Sequence, residues 1–355
     1  MNNENKNRAL TMEDLRFTPP ELPHEKLKEF AFSCYGVEGE FVSLQGERDQ
    51  NIKISSPDGR QYVLKVSGLT ESAGAVDFQA RALLHIELQD ATLPVPRMVP
   101  GIGGKVVNRL QFVGESYMVR LLTFLPGMTY DESHLISTGG LYGIGAFLAR
   151  LAIALEGFSH PASTEFMPWD ICNGLVFNQQ LKAQLPKPLA ERLTPILARL
   201  ESEVYPALGD LRRQVIHQDG HDGNLLRANG GDETVVGVID FGDMIEGPLI
   251  SDLAVSLASF LMGREDPVAL IAAMCSGFHS VTALTVEEIG LLLDLIIVRL
   301  ILWVQLYEFC IKHSNSVPAS VTEELPIIIA TLERLVKLDS ADVRRSLLKA
   351  CGLAH

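Results

Sequence analysis

The sequence predicts an α+β chain of two lobes, a small antiparallel sheet first and a larger, mostly helical part after it. Three observations carry that prediction. Residues 41–66 hold three short apolar runs separated by turn signals. Beyond residue 250, apolar residues recur at helical spacing to the end of the chain. Between the two blocks, residues 215–243 read as loop, strand, tight turn, strand and loop, so the polar ends of one hairpin meet.

Taken in order, residues 1–22 are polar, and Pro19, Pro20 and Pro23 close them off, which predicts a mobile tail. Residues 25–35 suit a short helix. Residues 41–44, 51–55 and 62–66 are strands, joined by turns at 45–50 and 56–60, the second a Ser-Pro-Asp-Gly signal. In the third strand Tyr62, Leu64 and Val66 point one way, and Val63 and Lys65 the other. Residues 71–88 are spaced as a helix with Ala75, Gln79, Ala82, Leu83 and Ile86 on one face. Leu93-Pro94-Val95-Pro96 is an extended link, and 105–108 and 117–124 are strands. Leu125-Pro126-Gly127 breaks the last strand, which places the lobe boundary between residues 124 and 125. The parts are then a tail (1–22), a sheet lobe (23–124) and a helical lobe (125–355).

Residues 139–158 form a helix whose apolar positions are core. Asp252 can cap the helix that runs to about Met262, or reach back to the loop before it. Thr285-x-x-Glu288 is a capping box for a helix running to about His313, and the chain from Thr322 is helical again.

Composition narrows the function. The chain has 355 residues, 47% hydrophobic and 21% charged, enough for a large core. The net charge of -14 disfavours a nucleic acid polymer or an anionic membrane as partner. Five scattered cysteines without a C-x-x-C pair, and a beginning without an apolar stretch, point to a reducing, cytoplasmic setting. The greasy run 291–306 contains Asp294 and Arg299, so a core helix fits it better than a membrane span.

The hairpin carries the chemistry. Its first loop holds His217-x-Asp219-x4-Asn224, and its last holds Asp240-Phe241-Gly242. Asp, Asn and Gly are also ordinary turn residues. The two pieces in this order, on one hairpin, favour a site. Phosphoryl transfer needs a hydroxyl held in line and a hard cation on the phosphates. Asp219 suits the proton of the hydroxyl, and Asn224 and Asp240 suit Mg²⁺. Lys65, alone in an apolar strand, suits the phosphates of ATP or GTP. Gln79, on the inward face of the next helix, can orient Lys65 without neutralising it. The turn at 46–50 would lie over the phosphates, with Asn51 counted in the nucleotide set, and the base would rest on the backbone at 121–124, Leu122 and Phe124 included. His217 and His221 invite a Zn²⁺ reading, but no further His or Cys completes a tetrahedral set.

With these residues in view, the chain resembles the aminoglycoside phosphotransferase and choline kinase superfamily. The carriers are Lys65, His217-x-Asp219-x4-Asn224, Asp240-Phe241-Gly242-Asp243 and Asp252-Leu253-Ala254. The resemblance implies a protein-kinase-like fold over residues 25–340, with a nucleotide-binding first lobe and a catalytic second one. It also implies that His217 packs under the catalytic loop and that Asp252 supports it. Gly46-Glu47-Arg48-Asp49-Gln50-Asn51, the run from Val119 to Gly127, and Phe158-x-His160-Pro161-Ala162 with Trp169-Asp170 resemble the hydroxylysine kinase branch. That branch implies an amino-acid-like amine alcohol as acceptor. Asp243, Glu246 and Asp170 could pair with its ammonium, and Trp169 could add a cation–π contact. Gln79 departs from the Glu common in the superfamily and leaves a nucleotide-binding pseudoenzyme as the rival. A protein kinase fits poorly, because Asp240 leads straight to Gly247-Pro248 with no activation segment.

Overall fold

The computed structural model describes residues 11, 19–130, 136–174, 185–314, 317 and 319–353. The expected tail lies almost wholly outside them. The first helix, α1 (His24–Tyr35), starts after Pro23 and stops at Gly36, whose φ of 67° suits glycine. Then come β1 (Glu40–Leu44), β2 (Asp49–Ser55) and β3 (Gln61–Ser67), followed after a helix by β4 (Met98–Val99), β5 (Asn108–Phe112) and β6 (Glu115–Thr123). They form one antiparallel sheet in the order β1-β2-β3-β6-β4, with β5 also on β6.

Two boundaries differ from the sequence expectation. The strand expected at 105–108 begins only at Asn108, because residues 101–105 first close a turn through Gly101 and Gly104. The β5–β6 turn, Val113-Gly114, was hidden. Both residues have positive φ (49° and 83°), which matches the twist of a tight hairpin.

The helix after β3, α2 (Ala73–Gln89), is capped by Ser72, whose hydroxyl accepts from the Ala75 N–H at 2.9 Å. Phe78, Leu83 and Ile86 join the large helical core, while the sheet keeps a separate core of Ile52, Ile54, Leu64, Val66, Val119 and Leu121. Phe78 stacks on Phe158 and His160 at 5.9 and 5.3 Å between centroids. So α2 is fastened to the second lobe as much as to the first.

The second lobe begins with β7 (Met128–Thr129) and α3 (Thr138–Ala154), and α4 (Lys187–Arg199) continues through irregular turns to Asp210. Two small sheets follow: β8 (Arg213–Ile216) with β11 (Ile245–Pro248), and β9 (Leu225–Arg227) between β10 (Val235–Val238) and β7. Helices α5 (Ile250–Phe260), α6 (Pro267–Val281), α7 (Val286–His313), α8 (Ala319–Leu335) and α9 (Ser340–Ala350) complete it. The capping box at Thr285 and Glu288 forms with bonds of 2.8 and 3.2 Å. By length and composition α7 could cross a membrane, but 83% of its apolar window is buried inside the protein, as a core helix requires. A Cβ on Gly145 of α3 would stand 2.0 Å from the Met274 carbonyl of α6, so glycine permits that close crossing.

Candidate active site

The short β8–β11 and β9–β10 pairs bring two loops together. Asp219 and Asn224 lie between β8 and β9, and Asp240 lies between β10 and β11. The first loop is anchored from below. Asp252 is the third residue of α5, not its N-cap, and its carboxylate accepts the backbone N–H groups of Gln218 at 2.6 Å and His217 at 3.3 Å. Of the two roles read for it, reaching back is the one the geometry has. Burial pushes the Asp252 carboxyl up to about 6 despite those two bonds.

His217 is fully buried beneath the loop. It meets the Phe241 ring edge-on at 4.7 Å, and its Nδ1 accepts the Asp219 N–H at 3.3 Å. Burial lowers it to about 4, so the ring is neutral. Gln218 has a φ of 67° and Asp240 a φ of 58°, a left-handed backbone that non-glycine residues resist.

Asn224 turns its amide nitrogen to Asp219, bonding the carbonyl at 3.0 Å and a carboxylate oxygen at 2.6 Å. That leaves the Asn224 Oδ1 for another partner. Asp219 is pushed up to about 7, chiefly by burial, with the nearby His221 acting against the rise. His221 lies 3.7 Å from Asp219 and 3.5 Å from Asp222. Burial lowers its affinity for a proton, but the two carboxylates outweigh that and hold it up at about 9. A carboxylate with a pKa near 7 in a buried site is the setting for general-base work.

Lys65 stands between two carboxylates, Asp49 at 3.3 Å and Asp240 at 3.5 Å. The ammonium is the main cause that holds Asp240 down at about 2, with the Gly242 N–H also bonding its Oδ1. Asp240 is thus ionised, and its side chain is 48% exposed. The Ile239 N–H bonds the Asn224 carbonyl at 2.9 Å, which brings the two loops together at Asn224 and Asp240, and a carboxylate with an amide oxygen is a fitting donor set for a hard divalent cation shared with phosphates. Among the described residues no cluster of three or more His, Cys, Asp or Glu could hold a metal alone.

The remaining expected residues fall differently. Gln79 does not touch Lys65: its Oε1 accepts from Arg120, which also bonds Asp49 at 3.1 Å and Ser67 at 3.2 Å. Gln79 also lines a cavity of about 220 Å³ between α2, residues 162–168 and the chain after Asp240. Asn51 donates to the Gln45 carbonyl at 3.3 Å and so tethers the β1–β2 loop, where a Cβ on Gly46 would stand 2.5 Å from the Asn51 amide. Leu122 is buried and paired with Val63 and Met98. The N–H groups of Thr123 and Phe124 are taken by the Arg97 and Gln61 carbonyls, and the Phe124 ring lies under Lys53 at 4.0 Å.

Asp243 is ion-paired with Arg48 of the β1–β2 loop at 2.7 Å. Glu246 is exposed on β11. Asp170 caps a short turn by accepting the Cys172 N–H at 2.8 Å, and burial pushes it up to about 6. The Trp169 ring stacks on Arg299 at 4.8 Å. Asp243, Asp170 and Trp169 are thus already engaged within the protein, and Glu246 alone of the four is exposed. Arg48, Asp49, Arg120, His221 and Arg299 were missed as site members. Asp49 had a signal: it lies two residues before Asn51, the cross-strand partner of Lys65.

Comparisons with known proteins give the family. Residues 41–286 match the model of the phosphotransferase enzyme family, and the chain belongs to that family. It is a small-molecule kinase acting on a hydroxyl-bearing substrate. Among its relatives is hydroxylysine kinase of Danio rerio, 26% identical over 282 residues, which covers 76% of this chain and 79% of that protein. Hydroxylysine kinase of Mus musculus is 28% identical over 269 residues, covering 69% and 70%. The fold matches an amicoumacin kinase solved with AMP-PNP, Ca²⁺ and Ami (TM-score 0.67, 16% identity, 91% of this chain and 97% of that one). It also matches a microcompartment-associated aminopropanol kinase (TM-score 0.66, 18% identity, 93% and 99%). The protein-kinase-like, two-lobed architecture is therefore that of this chain.

Proposed function

We propose that this kinase moves the γ-phosphoryl group of ATP or GTP, with Mg²⁺, onto the hydroxyl of an amino-acid-like amine alcohol of the hydroxylysine type. One observation carries the reading: Asn224 spends its nitrogen on Asp219 and keeps its side-chain oxygen, while its carbonyl joins the loop of Asp240, which Lys65 holds ionised. Asp219 orients the hydroxyl and accepts its proton. Asn224 and Asp240 hold the metal, which when bound neutralises phosphate charge. Lys65 binds the phosphates, and Asp49 and Asp240 position its ammonium. Asn51 ties down the loop above, and Leu122 and Phe124 border the base. The names of the relatives support the choice of acceptor. We place the lobe boundary between residues 124 and 125, and the five free cysteines fit a cytoplasmic setting.

Coupled nucleotide-consumption assays test the acceptor. Hydroxylysine, ethanolamine, choline and homoserine form one panel, and neutral sugars the other. Turnover is expected on the amines alone. Turnover on sugars with none on any amine overturns the acceptor class and leaves the kinase intact.

A further inference from the structure

Arg299 sits on α7 with 7% of its surface exposed. Its guanidinium stacks on Trp169, and one terminal nitrogen donates to the Trp169 carbonyl at 2.8 Å. The same carbonyl accepts from Gln218 Nε2 at 3.1 Å, so Arg299 is tied to the residue immediately before Asp219. Its charge acts on Asp219, Asp243 and Asp170 through space, yet among the described residues no carboxylate lies within 4.0 Å of it. Its Nε is buried with no hydrogen-bond partner. Other arginines of this chain are settled differently: Arg120, Arg199 and Arg212 each bind a carboxylate, of Asp49, Asp294 and Glu288. A buried guanidinium is costly unless an anion meets its donor edge. That edge matches a carboxylate bidentately.

We propose that Arg299 binds the carboxylate of the acceptor, which makes the substrate an amino-acid alcohol and not a simple amine alcohol. This inference rests on the acceptor class proposed above. It places the two ends of the substrate on one junction: the hydroxyl at Asp219, and the carboxylate at the arginine bonded to its neighbour through Trp169. Trp303 and Tyr307 follow Arg299 by one and two turns on the same side of α7, both half-buried. They offer apolar walls to the stem between the two ends.

The wild-type protein tests this first, with Mg²⁺ and a non-hydrolysable nucleotide present. L-lysine is expected to raise the melting midpoint, and pentane-1,5-diamine, the same molecule without its carboxylate, to leave it unchanged. Equal shifts overturn the proposal without any variant. Kinetics then separate binding from folding. Arg299→Gln should raise KM for hydroxylysine by about 10- to 100-fold, the worth of a charged hydrogen bond. KM for 1,5-diaminopentan-2-ol should rise far less than that for hydroxylysine, and Arg299→Lys should recover part of the loss. Equal losses on both acceptors would make Arg299 a support of Trp169 and nothing more. If the wild type phosphorylates neither amine acceptor, the acceptor class falls and this inference with it. If it phosphorylates both equally well, only this inference falls.

Discussion

The two sides of the site treat the same residue type in opposite ways. On the nucleotide side, Asp240 faces Lys65 and is held down at about 2. On the hydroxyl side, Asp219, Asp252 and Asp170 are pushed up to about 7, 6 and 6, each chiefly by burial. The difference lies in what compensates each charge. The nucleotide side sets cation against anion, with Lys65 between Asp49 and Asp240, and Arg48 on Asp243. On the hydroxyl side N–H groups meet the two supporting carboxylates, those of His217 and Gln218 on Asp252 and of Cys172 on Asp170, and the one cation beside Asp219, His221 at 3.7 Å, does not outweigh burial. Asp219 takes an amide hydrogen bond from Asn224. A metal ligand has to stay ionised, whereas a general base has to want a proton. Such divergent environments support the roles proposed for Asp240 and Asp219.

Four experiments break or sharpen the contrast. The largest effect belongs to Asp219→Asn, which should lower kcat by ~10²–10⁴ while nucleotide binding persists. Steady-state rates with a parallel nucleotide titration check it, and near wild-type turnover removes Asp219 from the chemistry. Next is Asp240→Ala, expected to weaken Mg²⁺-dependent nucleotide binding by ~10²-fold. Calorimetric titrations with and without the metal would expose a wrong assignment as an unchanged metal dependence.

Asp252→Ala leaves two buried N–H groups without an acceptor and should cost about 2–4 kcal/mol of unfolding free energy. Denaturant titration measures it; a loss under about 0.5 kcal/mol, the size of an ordinary surface change, would show that water replaces the carboxylate. The smallest effect is a shift along the pH axis. Catalysis needs ionised Asp219, so kcat/KM should rise with pH through about 7. The His221 cation favours the ionised form, so His221→Asn should move that limb to higher pH. A limb that stays in place or moves down would separate His221 from Asp219.

Much of the fold was legible because it is local. Strand alternation, the capping box at Thr285 and the hairpin turn at residues 229–232 are short-range patterns, and the elements they predict appear close to their expected bounds apart from β5. The misses have short-range causes too: Gly104 delayed β5, and Val113 in a left-handed turn disguised a hairpin. That Lys65, Asp219, Asn224 and Asp240 come together was legible because the hairpin and the strand that carry them are local patterns. Their partners were not. The carboxylate beside Lys65 comes from Asp49 on the neighbouring strand, and Arg120 takes Gln79. Strand register decides that, and register is a property of the assembled sheet. The acidic residues chosen for the acceptor were read by proximity in sequence. In space Asp243 belongs to Arg48, and Trp169 to Arg299.

The left-handed backbone at Gln218 and Asp240 has a consequence for how such a protein could change. An L side chain in that conformation costs about 1–2 kcal/mol that glycine avoids. Glycine returns about 0.5–1 kcal/mol of that through the freedom it restores to the unfolded chain. The balance still leans toward glycine at both places. Yet Gln218 reaches Trp169 and Asp240 meets Lys65, and glycine can do neither. Glycine would relax the backbone there but give up both contacts, so the left-handed conformation at these two places is held by what the side chains bind.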